Sequence, residues 1–210
     1  MNIEFKDGKD FVFRGCKSSY KSSKPVDKEA ANDAFKKCKK EILDVFLAEN
    51  GFCKWKSAAY VRLDATGLLQ MVELQKSRFD SIAFCVNFSV QPLYVPHTRY
   101  LRGIDGRLGS YIQGWGDPWW VYEDYETAKI SFENIRDGIK IYLLPWFDEF
   151  CAEENFRKML MEDKDKKGPG YRNEEWRMAQ ELSEEEKKAA ILENIEEWKL
   201  PKKLAQGVLS

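Results

Sequence analysis

Residues 81–90 constrain the fold of this chain more than any other stretch. Ile82, Phe84, Val86, Phe88 and Val90 alternate with Ala83, Cys85, Asn87 and Ser89. A period of two in β-branched and aromatic residues specifies a half-buried strand, with one face on a core and the other polar or small. Such a strand needs neighbours, and the residues before it supply them. Strands are expected over 52–57 and 59–64, then a turn at Thr66-Gly67, then a strand over 68–76. Successive strands with short connections form a meander, so the pairing is expected to be antiparallel. Pro92 and Pro96 end the run.

Two helices flank these strands. Over 27–50, Asp27 is a natural N-cap, and Ala31, Ala34, Phe35, Cys38, Ile42, Val45 and Phe46 recur at three-and-four spacing, the mark of one buried stripe. Asn50-Gly51 supplies the stop. Over 125–143 the stripe is Ala128, Phe132, Ile135, Ile139, Tyr142 and Leu143, with Pro145 expected to break or kink the helix before another over 147–161. Asp7-Gly8 marks a hairpin over 2–14, and 15–25 reads as a Ser/Lys-rich loop. The glycine-rich stretch 97–120 is expected to hold one more strand at 108–113. The expected fold class is α+β: an antiparallel β-meander sheet of five or six strands with helices 27–50 and 125–143 packed on one face, plus a C-terminal helical tail. The chain divides into an α+β domain (1–161), a charged linker (162–171, EDKDKKGPGY) and a helical tail (172–210). In the tail Ser183 and Glu186 have capping-box spacing, and Ala190, Ile191, Ile195 and Trp198 form a stripe.

Composition narrows the functional classes. The balance of 43% hydrophobic and 33% charged residues, with seven Trp, is that of a folded globular chain. A net charge of −1 gives no global field to attract nucleic acid, although lysines crowd residues 6–40. No run of about 18 apolar residues exists to span a membrane, and the N-terminus lacks a secretory h-region. Five scattered cysteines (Cys16, Cys38, Cys53, Cys85, Cys151) without a Cys-x-x-Cys pair read as reduced thiols of a cytoplasmic protein.

Few residues offer chemistry. The lone histidine, His97, has no nucleophile marked out beside it in sequence. One histidine and unpaired cysteines make no zinc set. Asp163, Asp165, Gly168 and Glu174 have calcium-loop spacing, but Lys167 puts a cation where an oxygen ligand is needed. No metal and no cofactor are therefore expected. The glycines of 103–116 lack the Gly-Lys-Ser/Thr ending of a phosphate loop. Binding is the better-supported chemistry. Glu73 and Gln75 share one face of a strand, with Asn87 on the neighbouring strand, so they form either a solvated face or the polar floor of a cleft. The segment 114–122 carries Trp115, Trp119 and Trp120 within six residues. Tryptophan gives much contact area at low entropic cost. Trp119 and Trp120 should point in opposite directions, so one belongs to the core. Arg107 is positioned to bond Asp117 or to meet an anionic ligand.

From the first helix to Pro145 the order of features resembles a bacterial family known only as domain of unknown function 4304. They are Asn50-Gly51-Phe52 after the helix, Val72-Glu73-Leu74-Gln75-Lys76-Ser77, Phe84-Cys85-Val86-Asn87-Phe88-Ser89-Val90, Arg107-Leu108-Gly109, Asp117-Pro118-Trp119-Trp120 and Leu144-Pro145. The resemblance implies a fold and a bacterial origin, and brings no activity and no functional residues. Some members look like cargo of toxin–immunity loci. The expected function is a non-catalytic binding protein whose partner is another protein, with an immunity-type inhibitor of a toxin as its specific form. A structural or interaction protein of another bacterial process, or a small-molecule enzyme, are the alternatives.

Overall fold

The computed structural model describes residues 11–17, 26–79, 82–96, 104–114, 118–162 and 173–209. Most of the hairpin expected at 2–14, residues 163–171 of the linker with Asp163, Asp165 and Gly168 of its calcium-like spacing, His97, Trp115 and Asp117 lie outside the described residues. A two-residue strand, β1 (Cys16–Lys17), comes first. The Asp27 carboxylate then accepts from the Glu29 and Ala30 amides and starts α1 (Lys28–Cys38). The helical path runs on through a π-helical turn (Lys39–Asp44) into α2 (Val45–Glu49). The wider turn rotates every later residue about the helix axis. The stripe expected through Ile42, Val45 and Phe46 therefore gives way to Leu43 and Leu47, which are fully buried, while Val45 is 50% exposed. Lys39, four positions after Phe35, lies on the buried side where the π-helical turn begins.

Four strands follow as a meander: β2 (Cys53–Lys56), β3 (Ala59–Leu63), β4 (Leu68–Lys76) and β5 (Ala83–Pro92). β6 (Ile104–Arg107) pairs with β5 through Asn87–Arg107 and Val90–Ile104. β7 (Trp119–Val121) pairs with the start of the same strand through Phe84–Trp120. β6 and β7 thus share one edge of β5. The sheet is six positions wide in the order β1-β7-β5-β4-β3-β2, with β6 beside β7. All pairings are antiparallel.

Residues 108–113 are not a strand. They form a short helix, α3 (Leu108–Gln113), that ends at Gly114 with φ 74°. Leu108, Tyr111 and Ile112 have helical spacing and are all buried, so the helical face wins over the local β propensity. The C-terminal half is helical: α4 (Tyr125–Gly138), a second π-helical turn (Ile139–Leu143), α5 (Leu144–Phe150), α6 (Glu153–Glu162), α7 (Asn173–Met178), α8 (Glu184–Glu197) and α9 (Lys203–Leu209). The chain stays helical through Pro145, which occupies the first turn of α5 just after the π-helical turn. A proline there costs nothing in missing donors. The break falls instead at Cys151–Ala152.

One face of the sheet carries Tyr60, Val72, Leu74, Phe84, Val86 and Phe88, and α1, α2, α4 and α5 close over it. Phe35, Phe84 and Phe132 meet there with centroids 5.0–5.2 Å apart, and Phe88 meets Trp146 at 5.1 Å. Aromatic contacts continue outward through Phe150 and Phe156 to Trp176 of α7. The other face carries Ala59, Val61, Leu69, Met71, Glu73, Gln75, Ala83, Cys85, Asn87 and Ser89. β5 is therefore not half-buried. Ala83, Cys85 and Ser89 on this face are also buried, because short side chains sink between the longer ones of β4, β6 and β7.

The helices after residue 172 cover the β2–β3 side of this second face. Trp55 Nε1 donates to the Lys199 carbonyl at 3.1 Å, and Asn194 Nδ2 donates to the carbonyls of Leu93 and Val95, both at 2.8 Å. Gly67 marks where α8 docks. Its φ is +81°, and an added Cβ would sit 2.9 Å from Tyr94 Cδ1 and 3.1 Å from Ile191 Cδ1. Gly67→Ala is expected to cost roughly 1–3 kcal/mol, from backbone strain together with the clash. Urea denaturation checks this, and an unchanged midpoint would contradict it.

Candidate functional site

The part of the second face that α8 and α9 leave uncovered is built from β4, β5, β6 and β7. Glu73 lies directly opposite Asn87, and Gln75 opposite Cys85. Asn87 lies in turn opposite Arg107 on β6. Trp119 shares this face, because its neighbour Trp120 pairs with Phe84 on the other one. Glu73, Gln75, Asn87, Arg107 and Trp119 thus converge although they come from four strands and span nearly fifty positions. All five are half-buried.

Two local contacts organise the patch. Asn87 Nδ2 donates to Gln75 Oε1 at 2.9 Å, and the buried Cys85 thiol lies beneath both, 3.8 Å from Asn87 Oδ1 and 4.0 Å from Gln75 Oε1. This pairing fixes the two amides side by side. Beside them the Arg107 guanidinium carbon stands 5.3 Å from the centroid of the Trp119 ring. A cation over an indole is held by the ring quadrupole. The arrangement offers a cation, a carboxylate, two amides and an indole on one rigid surface. The surface thus presents hydrogen-bond donors and acceptors of both kinds.

Two of the remaining sequence candidates, Trp115 and Asp117, lie outside the described residues, so the Arg107–Asp117 contact does as well. Trp120 is apart from the patch. It is fully buried on the helical face, and its Nε1 donates to Asn134 Oδ1 at 3.1 Å. Sequence reasoning missed Cys85 as the floor of the patch, because alternation tells which residues share a face and not that Cys85 lies opposite Gln75.

A separate polar cluster went unnoticed in the sequence. Asp44 accepts from Lys39 at 2.9 Å, from Lys54 at 3.0 Å and from the Tyr60 hydroxyl in a short contact, and Lys39 also donates to Tyr60 at 3.2 Å. Burial pushes the Lys39 ammonium below the usual lysine range, against the opposing pull of Asp44. Its signal was hidden because Lys39 and Asp44 stand five positions apart, a spacing that a π-helical turn and not a regular helix brings onto one face. Among the described residues no group of three His, Cys, Asp or Glu could hold a metal ion, and no helix is long and apolar enough to cross a membrane. The five cysteines are free, and burial pushes the thiols of Cys16 and Cys151 up to about 12.

A family model described as Domain of unknown function (DUF4304) matches residues 43–149, a span that runs from the π-helical turn of the first helix to α5 and contains the whole patch. No curated protein and no solved structure matches the chain.

Proposed function

This chain belongs to the DUF4304 family, whose name assigns no activity, and on that premise we propose that it is a non-catalytic binding protein that engages another protein through the patch on the second face of its sheet. The supporting observation is the convergence of Arg107, stacked on Trp119, with Glu73, Gln75 and Asn87 on one half-buried surface. Arginine and tryptophan are over-represented among residues that dominate binding energy, and groups held on paired strands need little ordering on association. The specific form is an immunity-type inhibitor acting in the bacterial cytoplasm, its target a toxin encoded beside it.

The test has two steps. A partner captured on the immobilised protein is first measured by calorimetry against wild type. Arg107→Ala and Trp119→Ala are then expected to lose on the order of 2 kcal/mol of binding each. Their thermal midpoints should stay near wild type, since neither side chain is part of the core. Full affinity in both variants would remove the patch as the contact surface. For the immunity form, co-expression should restore growth of cells that express the neighbouring toxin, and Arg107→Ala should not.

A further inference from the structure

The C-terminal helices meet the β3–β4 turn without filling the space between them. A cavity of about 560 Å³ remains there, within the range typical of small-ligand sites. Its apolar wall comes from Leu63, Tyr94, Ile191, Leu204 and Val208. All but Leu63 are buried, so the wall belongs to the packed interior and is preformed.

The charged residues of the lining are Lys187, Lys188, Lys203, Glu184 and Asp64, and these do not cancel. Glu184 is engaged by Lys187 at 3.1 Å, and the Lys187 ammonium also lies 5.9 Å from the Tyr94 ring centroid. Asp64 is engaged by its own turn. Its Oδ1 accepts from the Thr66 amide at 2.9 Å, the Thr66 hydroxyl at 2.8 Å and the Leu68 amide at 2.9 Å. Three lysines face two carboxylates, so the lining keeps an excess of one positive charge, and neither carboxylate pairs with Lys188 or Lys203. Both are exposed, so they stand at the rim, and neither has an ion-pair partner among the described residues. They come from different helices, α8 and α9, and line a cavity that has the apolar wall on one part and Asp64, Thr66 and the Glu184–Lys187 pair on another.

We propose that this cavity binds a small amphipathic anion, a carboxylate-headed molecule whose apolar body lies against Ile191, Leu204 and Val208 while Lys188 and Lys203 hold the head. An apolar molecule alone would leave the two cations unused. An inorganic anion would leave the apolar wall wet. A cationic amphiphile would meet like charge at the rim. The wall residues from 184 onward lie beyond the span matched by the family model, while Leu63 and Tyr94 lie within it.

The probe is decanoate below its micellar concentration, titrated into the full-length protein by calorimetry, with decyltrimethylammonium as the charge-reversed control. Saturable one-to-one binding of decanoate, without comparable binding of the cation, is expected. The double variant Lys188→Glu/Lys203→Glu should weaken decanoate binding by about tenfold or more. Lys129→Glu/Lys140→Glu changes the net charge equally on exposed positions of the α4 side and should leave binding within about twofold. All four lysines are exposed, so both variants should fold, and circular dichroism verifies this. Absence of saturable decanoate binding, equal binding of the cation, or equal losses in the two double variants would overturn the proposal.

Discussion

Trp120→Ala is expected to destabilise the protein by about 3–5 kcal/mol, the range for removing a large buried aromatic side chain. Its immediate neighbour behaves in the opposite way, and Trp119→Ala should stay within about 1 kcal/mol of wild type. Trp120 is fully buried and contacts Phe13 at a centroid distance of 6.1 Å. Its indole N–H also ends in a buried network. Asn134 Oδ1 accepts it together with the Arg14 amide at 3.1 Å, and Asn134 Nδ2 donates to the Val12 carbonyl at 2.9 Å. Ser131 on the same helix donates to the Val121 carbonyl at 2.7 Å. Two polar side chains on the buried face of α4 thus tie down β7 and the chain leading into β1. Removing the indole opens a cavity and loosens this tether together. Trp120→Phe keeps most of the packing but deletes the donor, and should cost about 1–2 kcal/mol. Urea unfolding followed by circular dichroism gives all three values. Similar losses for Trp119→Ala and Trp120→Ala would contradict the division of the two rings between opposite faces.

That division was legible in the sequence because period two is a strict rule of extended chains. The same rule predicts that Glu73 and Gln75 share a face with Asn87, and the register bears it out. What it does not give is the lateral position of Arg107 and Trp119, since both reach the edge of β5 through connections that carry no periodic signal. The α+β class, the meander and the two amphipathic helices were likewise written in local patterns. The departures along the long helices have one common cause. An apolar spacing of three and four identifies a helix face only while the turn stays regular. One π-helical turn moved the buried stripe from Val45 to Leu43 and Leu47, and another preceded Pro145 and let the helix pass through it. At 108–113 the short spacing fits both a helix and a strand, and tertiary burial of Leu108, Tyr111 and Ile112 decided between them. The second face of β5 was misread as solvent-facing because burial by lateral neighbours leaves no trace in a strand's own alternation.

The other large effect lies between the two ends of the first π-helical turn, Lys39 and Asp44. Lys39 is only 8% exposed, and its ammonium is balanced by Asp44, which also accepts from Tyr60 and the more exposed Lys54. Asp44→Ala would leave a buried cation and a buried hydroxyl without their acceptor, at an expected cost of about 3–5 kcal/mol. Lys39→Met in the same background removes the stranded charge while keeping the aliphatic stem, and should recover at least half of that loss. The single variant Lys39→Met should cost far less than Asp44→Ala, because Asp44 keeps Lys54 as a counter-charge. A pH dependence follows. Burial raises the Asp44 carboxyl, but the hydrogen bonds from Tyr60, Lys39 and Lys54 outweigh it and hold the group below the usual carboxylate range. A depressed carboxylate contributes stability that is complete above the unfolded value of about 3.9 and is lost as pH falls through the folded one. The difference between wild type and Asp44→Ala should therefore be full at pH 7 and shrink below about pH 4. Urea midpoints of the four proteins at pH 7 and pH 3 measure both effects. An Asp44→Ala loss that persists undiminished at pH 3, or that Lys39→Met fails to relieve, would mean that the carboxylate acts through packing and not through the charge it places beside Lys39.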